Sequence, residues 1–483
     1  MKKVCIALLV VACVALGACA APHRGGEFAV GSDVVPLPEA TPQPTLPAPP
    51  TPALPTSAHV AASAYRPEAV PTALAGSENF STALYVLLTE GIRAGDGDVD
   101  ASTLEVTQAQ FDGVRAYLLS RNPWGTLTDI TLDDVEPGRI VLTYALDDPD
   151  ECAAQAQRFD DAATAAIAAC VPENATQLSA SISLYKFVAQ TVTQNYEDEN
   201  FEAADSGLYS ALVDGQGMDR SFAYLYSFLL DQVGVQNEVV VCETGEHAWN
   251  LLTIDGRSFY CDPQMEAGLN GGQALQGFGL SGTDMAALNG WQTWQPESTA
   301  DSGSTADSES TVDPESTVDP ESGADSESGT DAVNAAPEAE ATATETAAPE
   351  TGAGSGAATG AGAAMPETET LLSPVRQANY ADIDPTADAI YFDLMDGRAG
   401  IYRMDLATGE VLDVIEAEPL ALAVLGENVY YLDSADNLLY SYHTTDGTIL
   451  QAVEGVPMRS LRRVNTELRY VTQEDAEGLL SLN

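Results

Sequence analysis

Basic residues are scarce in this chain: 19 Lys and Arg stand against 73 Asp and Glu, a formal balance of −54. With no basic face to meet phosphates, nucleic-acid binding is disfavoured, and so is direct adsorption to anionic lipid. Acidity of this degree keeps an exported protein soluble and spaced from other polyanions. Histidine is scarcer still, at four residues: His23, His59, His247 and His443. Only His247 falls in the central region read as folded core, which excludes a His–Cys zinc cluster. Long apolar runs are missing as well. The run Val4–Leu16 is too short to cross a bilayer comfortably, and no later stretch is long enough.

What the N-terminus does hold is Lys2 and Lys3 followed by that apolar run, the pattern of a secretion signal over residues 1–18. The run ends Leu16-Gly17-Ala18-Cys19, which resembles a bacterial lipoprotein signal. The resemblance implies cleavage before Cys19 and lipid on that cysteine. The expected location is export, anchored by lipid alone to the outer face of the cytoplasmic membrane or the cell surface. Residues 19–76 are rich in Pro, Ala and Thr, a composition that favours extended geometry and reads as a stalk.

Residues 77–175 read as an accessory α+β region. Ser77 is a candidate cap for a helix ending near Arg93, and Thr107 with Gln110 predicts a capping box for a helix to Arg121. Strands are expected at 129–133 and 139–146 around the turn Pro137-Gly138, then an Ala-rich helix from Glu151 to Cys170. A further helix over 176–195 leads into the central domain, read as residues 176–295. Of seven cysteines, Cys5 and Cys13 leave with the signal and Cys19 is lipidated, which leaves Cys152, Cys170, Cys242 and Cys261. Cys152 and Cys170 would lie about 27 Å apart on a straight helix, too far for a disulfide. Cys242 and Cys261 sit in apolar strand runs, where cysteine usually acts as a small hydrophobe.

The stretch Leu212–Glu266 carries the densest pattern. A Gly-bearing loop, Gly215 to Gly217, precedes apolar residues Phe222, Leu225, Tyr226, Leu229, Leu230 and Val233 at helical spacing, and Gly234 ends the run. Three β-type runs follow, 238–242, 247–254 and 258–261, with Asp255-Gly256 as a hairpin turn between the last two. Gly217-Met218-Asp219-Arg220-Ser221-Phe222-Ala223, then His247-Ala248-Trp249-Asn250, then Phe259-Tyr260-Cys261-Asp262-Pro263 resemble, in order and spacing, the three core motifs of bacterial transglutaminases and related cysteine peptidases. The resemblance implies a papain-like core of helix plus antiparallel sheet. It also implies a triad at positions 219, 247 and 262, with His247 as proton acceptor and Asp262 as its orienting carboxylate. The sequence departs at the nucleophile: Asp219 stands where the family has cysteine, and Ser221 where it has a second glycine. A carboxylate cannot perform thiol acyl transfer, and Asp at a helix start reads as an N-cap suited to the positive end of the dipole.

Residues 296–370 form an acidic low-complexity linker with 17 acids, no Lys or Arg, and the hexad Ser-Thr-Val-Asp-Pro-Glu at 310–315 and again at 316–321. Residues 371–483 hold a repeat. Ile390-Tyr391-Phe392, Val429-Tyr430-Tyr431 and Leu468-Arg469-Tyr470 recur at 39-residue spacing. Ile401-Tyr402 is echoed by Leu439-Tyr440 and Leu479-Leu480, and Thr408-Gly409 by Asp446-Gly447. The pattern resembles β-propeller blades of bacterial surface proteins, with the tyrosines packing between units. Three units are fewer than the usual four to eight or so. The array is therefore open, self-associating or another β-fold.

The sequence thus predicts an α+β protein with a transglutaminase-like core and a C-terminal all-β repeat domain. Its leading reading is non-catalytic: binding of peptide or envelope polymer in a degenerate active-site cleft, with no cofactor. Three alternatives remain. One is an active peptidase or acyltransferase, with Cys242 or Cys261 as a displaced nucleophile or Asp219 as an unorthodox one. The second is a metal-dependent hydrolase using Asp219, His247 and Asp262, and the third a structural scaffold.

Overall fold

The computed structural model describes residues 54–194, 207–242, 247–289, 293–296, 363–364, 368–394, 399–464 and 467–481. Residues 1–53 and most of 296–370 lie outside it, and with them the signal, Cys19 and most of the acidic linker. Among the described residues no helix is long and apolar enough to cross a membrane.

Helix α1 (Thr82–Ala94) begins four residues later than expected. Ser81 is its N-cap, accepting from the Leu84 N–H, whereas Ser77 closes the preceding turn by accepting from Asn79 N–H. Helix α2 (Gln108–Arg121) opens on the Thr107/Gln110 capping box. Helix α3 (Pro149–Cys170) is capped by Asp148 and α4 (Gln177–Thr191) by Thr176. Helix α5 (Asp219–Val233) ends on Gly234 in the left-handed region, and α6 (Pro263–Asn270) is capped by Asp262. Helix α7 (Gly282–Asn289) follows.

A small sheet with 139–144 as its middle strand, flanked by 98–100 and 127–132, packs beside α1 and α2. The main sheet is antiparallel, ordered 363–364, 293–296, 236–242, 248–254, 257–261 and 278–280. Asp255 (φ 51°) and Gly256 (φ 73°) make the expected two-residue turn. Strand alternation divides this sheet between two cores. Val239, Val241, Leu252, Phe259 and Cys261 face α5 in the main core, while Val240, Cys242, Trp249 and Tyr260 meet Met285 of α7 on the opposite face. None of the four described cysteines forms a disulfide, and all are buried.

The C-terminal region is all β: three antiparallel meanders at 381–415, 419–451 and 458–481, of four, four and three strands. The 39-residue repeat is the period of these sheets. Ile390, Val429 and Leu468 lie in the second strand of each, and Ile401, Leu439 and Leu479 in the third. Tyr391 and Tyr431 are buried in the cluster joining the first two sheets. The first strands of successive sheets pack side by side, and α4 lies against both 381–384 and 458–464, bridging the first sheet to the third. Buried Lys186 of α4 fixes this contact by donating to the carbonyls of Ala381 (2.5 Å) and Ala274 (3.3 Å). One core cluster runs from Phe80 through α3, α4 and α5 into Ile383, Phe392 and Met404, so accessory region, main sheet and first meander share one interior.

Residues 54–76, read from composition as the end of the stalk, run along this body as an ordered strap. The strap satisfies helix ends. Ala61 N–H donates to Val233 O and the Arg66 guanidinium to Gln232 O at the C-terminus of α5, while Ala58 O accepts from Gln177 N–H at the N-terminus of α4. Those groups have no partner within their own helices.

Candidate functional site

The start of α5, the entry to the strand Ala248–Ile254 and the cap of α6 place Asp219, His247 and Asp262 together. The Nε2–H of His247 donates to Asp262 Oδ2 at 2.7 Å, and Asp219 Oδ2 stands 3.9 Å from Nδ1 on the other side of the ring. Asp262 is fully buried, the His247 side chain is 7% exposed and that of Asp219 25%, so the triad meets solvent chiefly through Asp219.

Backbone groups hold Asp262 in place. Asp262 Oδ1 accepts from Met265 N–H as the cap of α6, and its own N–H donates to Gly277 O. Tyr185 Oη donates to Asp262 O and to Glu266 Oε2, which also accepts from Gly277 N–H. Position 277 must be glycine: a Cβ there would clash with the Tyr185 hydroxyl and sit 2.7 Å from Asp262 O. The imidazole stacks on Trp249 with ring centroids 5.7 Å apart. Asn250 Nδ2 donates to Ala223 O, tying the His-bearing strand to α5.

Asp219 is the first residue of α5 and not its cap. Met218 takes the N-cap position, and Ser221 Oγ accepts its N–H at 3.0 Å. That leaves the Asp219 carboxylate to meet His247 and to accept from Gln264 Nε2 at 2.9 Å. Gln264, Asn250, Tyr185 and Glu266 were not singled out from the sequence as site residues. Gln264 and Asn250 lie inside or beside the matched motifs, whereas Glu266 and Tyr185 carry no local signal.

Burial opposes charge on His247, but Asp262 and then Asp219 outweigh it and push its pKa up from 6.5 to about 10. At neutral pH the ring is therefore an imidazolium flanked by two carboxylates. It carries no free lone pair with which to accept a proton. Among the described residues no cysteine offers a replacement nucleophile at the surface. Cys242 and Cys261 are both fully buried, Cys242 Sγ accepts from His247 N–H at 3.3 Å, and burial pushes the Cys261 thiol well up. Among the described residues no three His, Cys, Asp or Glu side chains are arranged to hold a metal ion.

No family model matches the chain, and no curated protein is similar to it. Solved structures resemble parts of it. A structure described as a TGase is 14% identical with a TM-score of 0.19, over 33% of this chain and 48% of that one. BamB from Moraxella catarrhalis is 17% identical with a TM-score of 0.18, over 21% of this chain and 31% of its own. The N-terminal domain of Nup159 is 16% identical with a TM-score of 0.19, over 22% and 28%. The chain spans less than half the length of each, and similarity at these scores decides no fold. What stands is mixed α+β architecture with a C-terminal all-β region.

Proposed function

We propose that this protein is an exported lipoprotein, anchored through Cys19, whose transglutaminase-like domain binds peptide or cell-envelope polymer without acyl transfer, and whose C-terminal meanders are propeller-like blades. One observation carries the reading: Asp219 occupies the helix start facing His247, at 3.9 Å, while Asp262 holds the other ring nitrogen. Thiol chemistry needs a thiolate at that helix start and an imidazole able to take a proton. Here the first is a carboxylate and the second is already charged. The site keeps its positioning elements, and Asp219, its most exposed member, is the group a ligand would meet.

Co-sedimentation with purified envelope polymer and with peptide-bearing fragments of it tests the proposal. The natural protein should pellet with the polymer, and Asp219→Ala and His247→Ala should each weaken retention about tenfold or more while remaining folded. Equal retention of all three proteins would contradict binding at this site and favour a scaffold role.

A further inference from the structure

At the opposite end of α5 from Asp219, about 18 Å along the helix, lies a cavity of about 670 Å³ between the strap, α2 and the strand Gln236–Cys242. That volume is in the range of small-molecule sites. Leu74, Phe80, Tyr117 and Val239 supply apolar and aromatic wall, and three acids, Asp112, Asp231 and Glu238, line it as well. Gly113 lets α2 approach closely, since a Cβ there would clash with Asn79 O.

Asp231 is the decisive group. It is 4% exposed, its hydrogen-bond partners are uncharged, and the charge of Arg121 acts on it from the same lining. Its Oδ1 accepts from Thr72 N–H (2.9 Å), Thr72 Oγ1 (2.8 Å) and Asn237 Nδ2 (2.9 Å). None of these hydrogen bonds goes to Oδ2, the second oxygen of a carboxylate that lines the cavity. Arg121, the basic residue on the lining, has its guanidinium over aromatic rings, 3.5 Å from the Tyr224 centroid and 5.5 Å from that of Tyr117.

We infer that this cavity binds a small organic cation, a protonated amine on an apolar or aromatic body. The ammonium would donate to Asp231 Oδ2, and the body would lie against Phe80, Leu74 and Tyr117. A carboxylate ligand would instead meet three acids of its own sign against the single opposing charge of Arg121 on the lining. Burial pushes Asp231 up to about 7 and raises Glu238, so both acids carry a desolvation cost that a bound cation would relieve. The inference is independent of the Asp219 site.

Calorimetric titration of the full chain with 2-phenylethylamine, tyramine and cyclohexylmethylamine tests it, with 2-phenylethanol and 3-phenylpropionate as neutral and anionic counterparts. At least one amine should bind tenfold or more tighter than both counterparts. Asp231→Asn, which keeps an acceptor for Thr72 and Asn237, should lose that binding tenfold or more. Ala116→Trp, on the exposed side of α2 at the lining, should block entry and serves as a second variant should Asp231→Asn fail to fold. Tighter binding of the carboxylate, absence of binding by all three amines, or amine binding unchanged in the variants that fold would each overturn it.

Discussion

His247 stands between Asp262 and Asp219, and its charge state links the site to stability. Its folded pKa, about 10, lies above the unfolded value of 6.5. A histidine raised in this way binds its proton more tightly when folded, so its stabilising contribution is complete below pH 6.5. It declines as pH rises and is gone once pH passes about 10. The difference in unfolding free energy between the natural protein and His247→Gln should therefore shrink steadily from pH 6.5 to 10. A difference that grows over that window would contradict an imidazolium held by two carboxylates. Much of this site was legible at the residue scale. Motif order and spacing brought positions 219, 247 and 262 to one place, because a helix start and two adjacent strands carry them. What was not legible was the helix boundary: Ser221 reaches back to Met218 N–H, and this shifts the cap by one residue and frees Asp219 to face the ring. The Tyr185–Glu266–Gly277 support lies in three separate segments, and no local pattern joins them.

At the scale of elements, caps and periodicity located α2, α3, α4 and α5 closely, and the Asp255-Gly256 turn fixed its hairpin. The strap misled because a composition rich in Pro, Ala and Thr reports extended backbone and says nothing of what that backbone touches. Extended chain with free N–H and C=O groups suits orphan helix ends, and residues 58–66 serve α4 and α5 in that way. Arg66 donates to Gln232 O through two nitrogens, at 3.1 and 2.8 Å. Arg66→Ala should lower unfolding stability by about 1.5–3 kcal/mol, the range for charged hydrogen bonds. Chemical denaturation would measure it, and a loss near zero would show the strap to be dispensable.

Across the whole molecule, the repeat period was readable but its termination was not. A 39-residue spacing announces three sheets, whereas the bridging of the first to the third by α4 depends on a helix about 200 residues earlier in the chain. At this junction buried Asp382 accepts from Val424 N–H at 2.8 Å, and partly exposed Arg463 lies 3.6 Å from it. Because Ile383, Phe392 and Met404 share the interior with α3, α4 and α5, cutting the linker should not separate the halves. Residues 297–362, with few large apolar side chains, should be the first site of proteolysis. The two fragments should nevertheless co-elute on size exclusion. Elution as two independent species would contradict the shared core.

With a carboxylate at the helix start beside an imidazolium, the site should form no acyl-enzyme. Intact-mass spectrometry after incubation with a glutamine-containing peptide ester, with and without an acceptor amine, tests it most directly. The natural protein should show no adduct and no amine incorporation, while Asp219→Cys, which restores a thiol at that helix start, should gain one acyl mass on that residue. An adduct on the natural protein that disappears in Asp219→Ala, or in Cys242→Ser or Cys261→Ser, would contradict the account and identify the nucleophile in its place.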